Sequence, residues 1–297
     1  MDAQDALTAV QLAVTLAILS YASVLDWRTR KVGNSIWMVL SALAMVLLVA
    51  RVAVDEAPLE YLLVLVPVLA VLADVYGPSG ESGGWTRALP VASYAAAIVA
   101  TVVLGYMWAD DTYFAHLLTA PVMMMAIVVM YMLDIIRGGA DAKALMALSV
   151  MFPFYPSIGP VPLIAAEGTY AEIMFPFSFV VLVTAAVIVA FAPLAFAARN
   201  LAAGEFEMPY ALLGYRLDAQ DVKGRKVWLM ERVEDGAHRR STRPRRDEDL
   251  GAEVDRLVSA GHTRLWVTPK IPFIVPMTIA LAFAAVVGNF LVLVMGL

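Results

Sequence analysis

The sequence predicts an all-α polytopic membrane protein of about eight transmembrane helices, with a small α+β cytoplasmic domain before the last helix. Three observations carry this. The 297 residues are 61% hydrophobic and only 16% charged, with a mean hydropathy of +0.77. Apolar runs recur at the ~20 residues a helix needs to cross ~30 Å of hydrocarbon. The basic residues fall in alternate loops. Such a composition excludes a soluble globular enzyme and a disordered chain. There is no cysteine, which removes disulfides, thiolate zinc sites, iron–sulfur ligation and a catalytic thiol.

The predicted spans are about 6–25, 34–52, 59–76, 88–108, 113–134, 141–164, 173–198 and 271–296. Glu60 and Asp74 sit near the ends of the third. Pro153, Pro156 and Pro160 interrupt the sixth, which is expected to bend or break where protein or water satisfies the freed backbone groups. Asp2 and Asp5 stand where a cleaved signal peptide carries basic residues, so the first run reads as a retained span. With both termini outside, the inner loops hold 20 of the 21 Lys and Arg residues, and Arg51 alone falls on the outer side. Positive charge favours the cytoplasmic side, so the alternation supports the orientation as well as the count. No internal repeat is visible, which gives no support to a transporter built from inverted repeats.

The chain therefore divides into helices over 1–198, a charged cytoplasmic domain over 199–270 and a last helix over 271–297. In the middle domain KVWLMERV (226–233) and TRLWVTP (263–269) read as short strands. The stretch 236–251 between them is mixed-charge and poor in apolar residues, and is expected to be a mobile insert.

Acids at membrane depth cost ~2.5–3.5 kcal/mol each on insertion scales, so they need a reason. Asp26, Asp74, Asp134 and Asp141 all map to inner helix ends. Two neighbouring carboxylates cannot both ionise cheaply. They share a proton and together activate a water, as an aspartyl protease requires. Asp26 opens DWRTRKVGN (26–34), and Asp141 follows two glycines in GGADAKALMAL (138–148).

With these residues the chain resembles the type IV prepilin peptidases and archaeal preflagellin peptidases, membrane aspartyl proteases of the GxGD class. Asp26, Arg28, Thr29, Arg30 and Asn34 match the first family motif in type and spacing, with Gly33 where many bacterial members have Pro. Gly138, Asp141 and Lys143 match the second, whereas Gly139 and Ala140 depart from it. GGAD and the ending WVTPKIPFIVPM (266–277) point to the archaeal branch. The region 55–130 is longer than a compact six-span member needs by about two spans, an even insertion that preserves sidedness.

The resemblance implies catalytic Asp26 and Asp141, supported by Gly138, Gly139, Lys143, Asn34 and Arg30, with no metal and no cofactor. It implies a preflagellin or type IV prepilin as substrate, its short basic leader cut at the cytoplasmic face of the cell membrane. The lipid bilayer is the other expected partner, and no nucleic acid is. Which aspartate is the base stays open, because the pair titrates as a unit. The glycines are expected to clear space beside Asp141 and to permit unusual backbone angles. Lys143 either tunes the pair, anchors to lipid phosphate or simply snorkels. Asp134 and Arg137, three apart, are expected to pair on a helix end. Asp74 reads as a solvated helix end.

Other chemistries fit less well. GPSG (77–80) looks like a rhomboid serine motif, but Ser79 is inner while His116 lies near the outer end of its helix. His238 and His262 are isolated, and no H-E-x-x-H occurs. Presenilin-type and signal-peptide peptidases share the aspartate logic, but Leu25 precedes Asp26 and no Pro-Ala-Leu occurs in the last span. A proton-coupled carrier would explain the buried acids without explaining Asn34, Gly138 or Lys143.

Overall fold

The computed structural model describes residues 2–77, 85–164, 170–234, 236–244 and 249–295, with the backbone alone at 85–91. The chain forms two compact units. The first is Met1–Ala186 with Pro272–Leu297, and the second is Val187–Ile271. The first unit opens with α1 (Ala3–Thr29), α2 (Asn34–Val54) and a 3-10 segment (Leu59–Val64) that runs into α3 (Leu65–Tyr76). It continues with α4 (Trp85–Met107), α5 (Thr112–Met132), α6 (Gly139–Met151), α7 (Tyr170–Met174) and most of α8 (Phe177–Ala190), whose last turn falls in the second unit.

The second unit contains α9 (Ala192–Ala202), α10 (Tyr210–Leu213), β1 (Tyr215–Asp218), α11 (Ala219–Val222) and β2 (Val227–Leu229). It continues through β3 (Glu231–Glu234), β4 (Ala237–Arg240), α12 (Leu250–Ser259) and β5 (Arg264–Pro269). The chain then returns to the first unit in α13 (Ile274–Val287) and α14 (Phe290–Met295).

The first unit is packed for a bilayer. Along α1 the buried face is Thr8, Gln11, Thr15, Leu19 and Ala22, at helical spacing, while Val10, Tyr21, Val24 and Trp27 are exposed. The few buried polar groups of α1 face inward, and large apolar ones face outward. On α2 to α5 apolar side chains fill the interior and also cover the outside, where Val46, Leu69, Val102 and Val122 are all at least half exposed. Apolar surface on this scale is unfavourable in water and ordinary against lipid. Inside, Gln11 donates to the Met151 carbonyl at 2.9 Å, and Ser23 meets Thr278 across α1 and α13 at 2.8 Å.

Five helical segments are long and apolar enough to cross a membrane: Ala3–Thr29, Asn34–Val54, Leu59–Tyr76, Thr112–Met132 and Phe177–Ala202. They make the chain a multi-pass membrane protein. The eight spans expected from hydropathy are not met among the described residues. Ala92–Met107 and Ile274–Val287 are shorter apolar helices. α6 has only 13 residues, about 20 Å at 1.5 Å per residue. It stops at Met151, just before Pro153, and Ala142 and Ala144–Met151 are buried, which makes it the core of the bundle.

The chain beyond α6 is irregular but not unsatisfied. Leu163 and Ile164 donate their N–H groups to the carbonyls of Val286 and Val287, both at 2.9 Å. Those carbonyls belong to the last turn of α13, which has no helical partner for them. Gly288 follows at φ +89, and a Cβ there would collide with the Ile164 carbonyl.

Side-chain pairs sort the polar residues of this unit into two ends. At one end Asp55 accepts from Gln4, Arg51 and Tyr113, Tyr61 donates to Asp111, and His116 meets Glu172 at 3.3 Å. At the other, Lys143 meets Asn34, Tyr94 donates to Asp74, and Tyr76 meets Ser41. This is the pattern of helices threaded alternately up and down.

In the second unit β5 is central to an antiparallel sheet of order β1-β5-β2, with Tyr215 opposite Val267 and Val227 opposite Pro269. The expected strand 226–233 is two strands, β2 and β3, separated at Met230. β3 pairs with β4 as an antiparallel hairpin, Glu231 opposite Arg240. The segment 236–251 thus contains a strand at 237–240 and the start of α12, while 245–248 lie outside the described residues. α12 buries Val254 and Leu257 against Leu217, Val222, Leu229 and Leu265. Two buried acids staple strand edges. Glu253 accepts from the Val233 N–H at 2.9 Å, and Glu231 from the Trp266 N–H at 3.2 Å.

Asn200, 1% exposed, ties α9 to the turn before β1 by donating to the carbonyls of Ala211 at 2.9 Å and Gly214 at 2.7 Å. Asn200→Leu leaves two buried carbonyls without this donor, a loss of about 1–3 kcal/mol. A thermal-shift assay on the intact chain in detergent should record a lower midpoint. An unchanged midpoint would show that the carbonyls find other partners.

Candidate active site

The two motif segments come together at one end of the first unit. Asp26 lies in the last turn of α1. Its carbonyl accepts the Arg30 N–H at 3.0 Å, and Arg30 closes the helix in the left-handed region at φ 58. The turn beyond is braced. The Thr29 hydroxyl donates to the Leu25 carbonyl at 2.8 Å and the Lys31 carbonyl at 2.9 Å, and accepts the Lys31 N–H at 3.2 Å. Gly33 then opens α2, whose first residue is Asn34.

Gly138 opens α6, and Asp141 sits in its first turn. Acids are common there because the unpaired N–H groups and the helix dipole favour negative charge. α1 and α6 run antiparallel. Gln11 is bonded beside Met151 at one level, and at the other the Asp26 carboxylate is near enough for its charge to act on that of Asp141. The two motifs also touch directly. Lys143 Nζ donates to Asn34 Oδ1 at 2.7 Å and stands 5.7 Å from the centroid of the Tyr76 ring.

The glycines differ. Gly138 has ordinary extended angles, φ −93 and ψ 116, so no unusual backbone conformation calls for it. Space does, because a Cβ on Gly138 would collide with the Asp141 carboxylate. At Gly139 a Cβ would lie 3.6 Å from the Tyr131 hydroxyl, an ordinary contact.

The remaining acids sit apart. Gly139, Ala142, Lys143 and Met146, spaced i, i+3, i+4 and i+7, line a cavity of about 450 Å³ together with Asp74 and Tyr94. That face of α6 is roughly opposite the one carrying Asp141. Asp74, bonded to the Tyr94 hydroxyl, is therefore across the helix from Asp141 and is not a free solvated end. Asp134 is exposed beyond the end of α5, at φ 58. The expected Asp134–Arg137 pair is a contact through the backbone, Arg137 Nε to the Asp134 carbonyl at 3.4 Å. Arg30 has a buried Nε without a hydrogen-bond partner among the described residues. Ser79 lies outside the described residues. Tyr76 and Ser41 were not legible as site residues. A tyrosine ending a span two residues after Asp74 is the only trace of the first.

Residues 207–290 match the family model described as Archaeal Peptidase A24 C-terminus Type II. Comparison with curated proteins finds no match. The matched stretch covers most of the second unit and α13, and is consistent with the prepilin/preflagellin peptidase family. It supports a peptidase of that kind.

The geometry at Gly138 makes a sharp prediction for peptidase activity. Gly138→Ala displaces a flexible carboxylate rather than backbone, so folding is kept and chemistry is not. Activity should fall by at least about a hundredfold, the scale of one positioned acid–base group. The thermal midpoint should hold, and Gly139→Ala should cost far less. Equal activity in the two alanine variants, measured at matched membrane levels, would contradict the steric reading.

Proposed function

We propose that the chain is a membrane aspartyl endopeptidase of the GxGD type in which Asp26 and Asp141 form the catalytic pair. It removes the short basic leader from a preflagellin or type IV prepilin at the cytoplasmic face, with both termini outside. The observation that carries the reading is the meeting of two segments whose aspartates have 114 residues between them, Asp26 acting on Asp141 and Asn34 bonded to Lys143. The peptidase family match over 207–290 supports it independently, because it includes neither aspartate.

The chemistry follows from a pair that holds one proton between two carboxylates. The ionised carboxylate takes a proton from water as the oxygen attacks the scissile carbonyl carbon. The protonated one hydrogen-bonds the carbonyl oxygen and gives it the proton as the tetrahedral diol forms. The diol then collapses: the proton held by the first carboxylate moves to the leaving nitrogen, a diol hydroxyl returns its proton to the second carboxylate as the C=O re-forms, and the C–N bond breaks. One water is consumed, an acid and an amine are released, and the pair returns to its shared-proton state. Neither metal nor cofactor takes part. A peptide must be extended to be read this way, since a helix keeps its carbonyls in its own bonds. The space kept open at Gly138 suits an extended strand passing close to Asp141.

Co-expression with a candidate preflagellin, followed by gel shift for leader loss, tests the assignment. Asp26→Asn and Asp141→Asn should each lose at least about a hundredfold in rate, and Asp134→Asn should cleave like the wild type. Cleavage that survives in both principal variants would remove the aspartyl chemistry. A dead Asp134→Asn beside an active Asp141→Asn would keep the class and move the second aspartate.

A further inference from the structure

Lys143 is placed badly for the ordinary roles of a lysine. It lies near the N-terminal end of α6, where the helix dipole disfavours a cation. Both of its contacts among the described residues are to neutral groups, the Asn34 amide oxygen and the Tyr76 ring. A snorkelling lysine reaches for water or headgroups and needs no fixed partner. This one is fixed between two other helices.

Its connections are mechanical. Asn34 begins α2, and four residues separate it from the end of α1. Those residues are not a loose linker. The Thr29 hydroxyl bonds on both sides of the turn, and the Arg30 N–H is bonded back to Asp26 itself. A displacement at Asn34 is therefore passed to the turn that carries Asp26. Tyr76 ends α3, and its hydroxyl meets Ser41 of α2 at 3.3 Å. One ammonium thus joins α6 to α2 and α3, two residues from Asp141.

We propose that Lys143 is a positioning residue: by gripping Asn34 and the Tyr76 ring, it holds the α1–α2 turn against the first turn of α6 and so keeps Asp26 within reach of Asp141. Its catalytic consequence rests on the peptidase reading above. Its geometric content does not.

The absence of native cysteine allows both to be tested in the intact chain. Spin labels at Lys31→Cys in the turn and Arg137→Cys before α6 occupy exposed positions and report the separation by electron paramagnetic resonance. Lys143→Met and Asn34→Ala should broaden the distance distribution to a similar extent, the double variant no further, and Lys143→Arg should restore it. In unlabelled protein, kcat for leader removal should fall between about ten- and a hundredfold in Lys143→Met, as for a small misplacement of a reacting group. KM should stay within about twofold of the wild-type value, and Lys143→Arg should recover most of the loss. An unchanged distribution in both single variants overturns the proposal, whatever cleavage does. Broadening with kcat unchanged overturns it too. A wild type that cuts no precursor, with broadening still present, leaves the clamp standing and removes the peptidase reading instead.

Discussion

Two carboxylates that feel each other's charge at the end of an apolar bundle repel, and each is costly to keep out of water. Left to themselves they would separate or take up a proton apiece. The surrounding structure opposes the first outcome. α1 is tied to α6 at Gln11 and Met151 and to α13 at Ser23 and Thr278. The turn after Asp26 is closed on itself by Thr29 and Arg30, and the next helix is pinned to α6 through Asn34. A pair held in this way is the arrangement that the proposed chemistry, with one proton between two carboxylates, requires.

That need explains the unusual shape of α6. A helix that presents an acid at its first turn need not cross the whole bilayer; it needs to be surrounded. Its 13 residues are almost wholly buried after Ala142, and its early stop at Met151 sends the chain into an irregular stretch satisfied by the last carbonyls of α13. Irregular backbone at membrane depth is tolerated where protein covers it. The polar cluster around Asp55, Tyr113 and Arg51 closes the opposite end of the bundle, so the apolar helices are held at both ends by hydrogen bonds while their flanks face lipid.

Much of this was legible in the sequence, and for stated physical reasons. Lys and Arg largely segregate from the apolar runs in the sequence, and five of the helices expected from hydropathy are long and apolar enough to cross a membrane. The two motifs could be found because their residues are close in sequence to the aspartates they serve. What hydropathy could not tell was length. The run at 141–164 was expected to break at its prolines, and its helix does stop at Met151; in 271–296 the break at Gly288 was not foreseen, because a window average does not see where a helix ends. Of the two reasons expected for Gly138, clearance beside Asp141 holds and an unusual backbone angle does not, because its angles are ordinary extended ones. Tyr76 was missed because a ring that meets a lysine 67 positions later leaves no local signature. In the second unit β5 was plain from its β-branched and aromatic run, whereas β1, four residues between two single-turn helices, was not.

Asp26 and Asp141 must meet if the chain does the chemistry its motifs imply. Because the protein has no native cysteine, Asp26→Cys with Asp141→Cys can be assayed in membranes for oxidative cross-linking, with Ser23→Cys and Thr278→Cys as a contact control whose side-chain oxygens are 2.8 Å apart. The account predicts cross-linking of both pairs, and its loss from the first pair when Asn34→Ala is added. Efficient cross-linking of the control alone would contradict it.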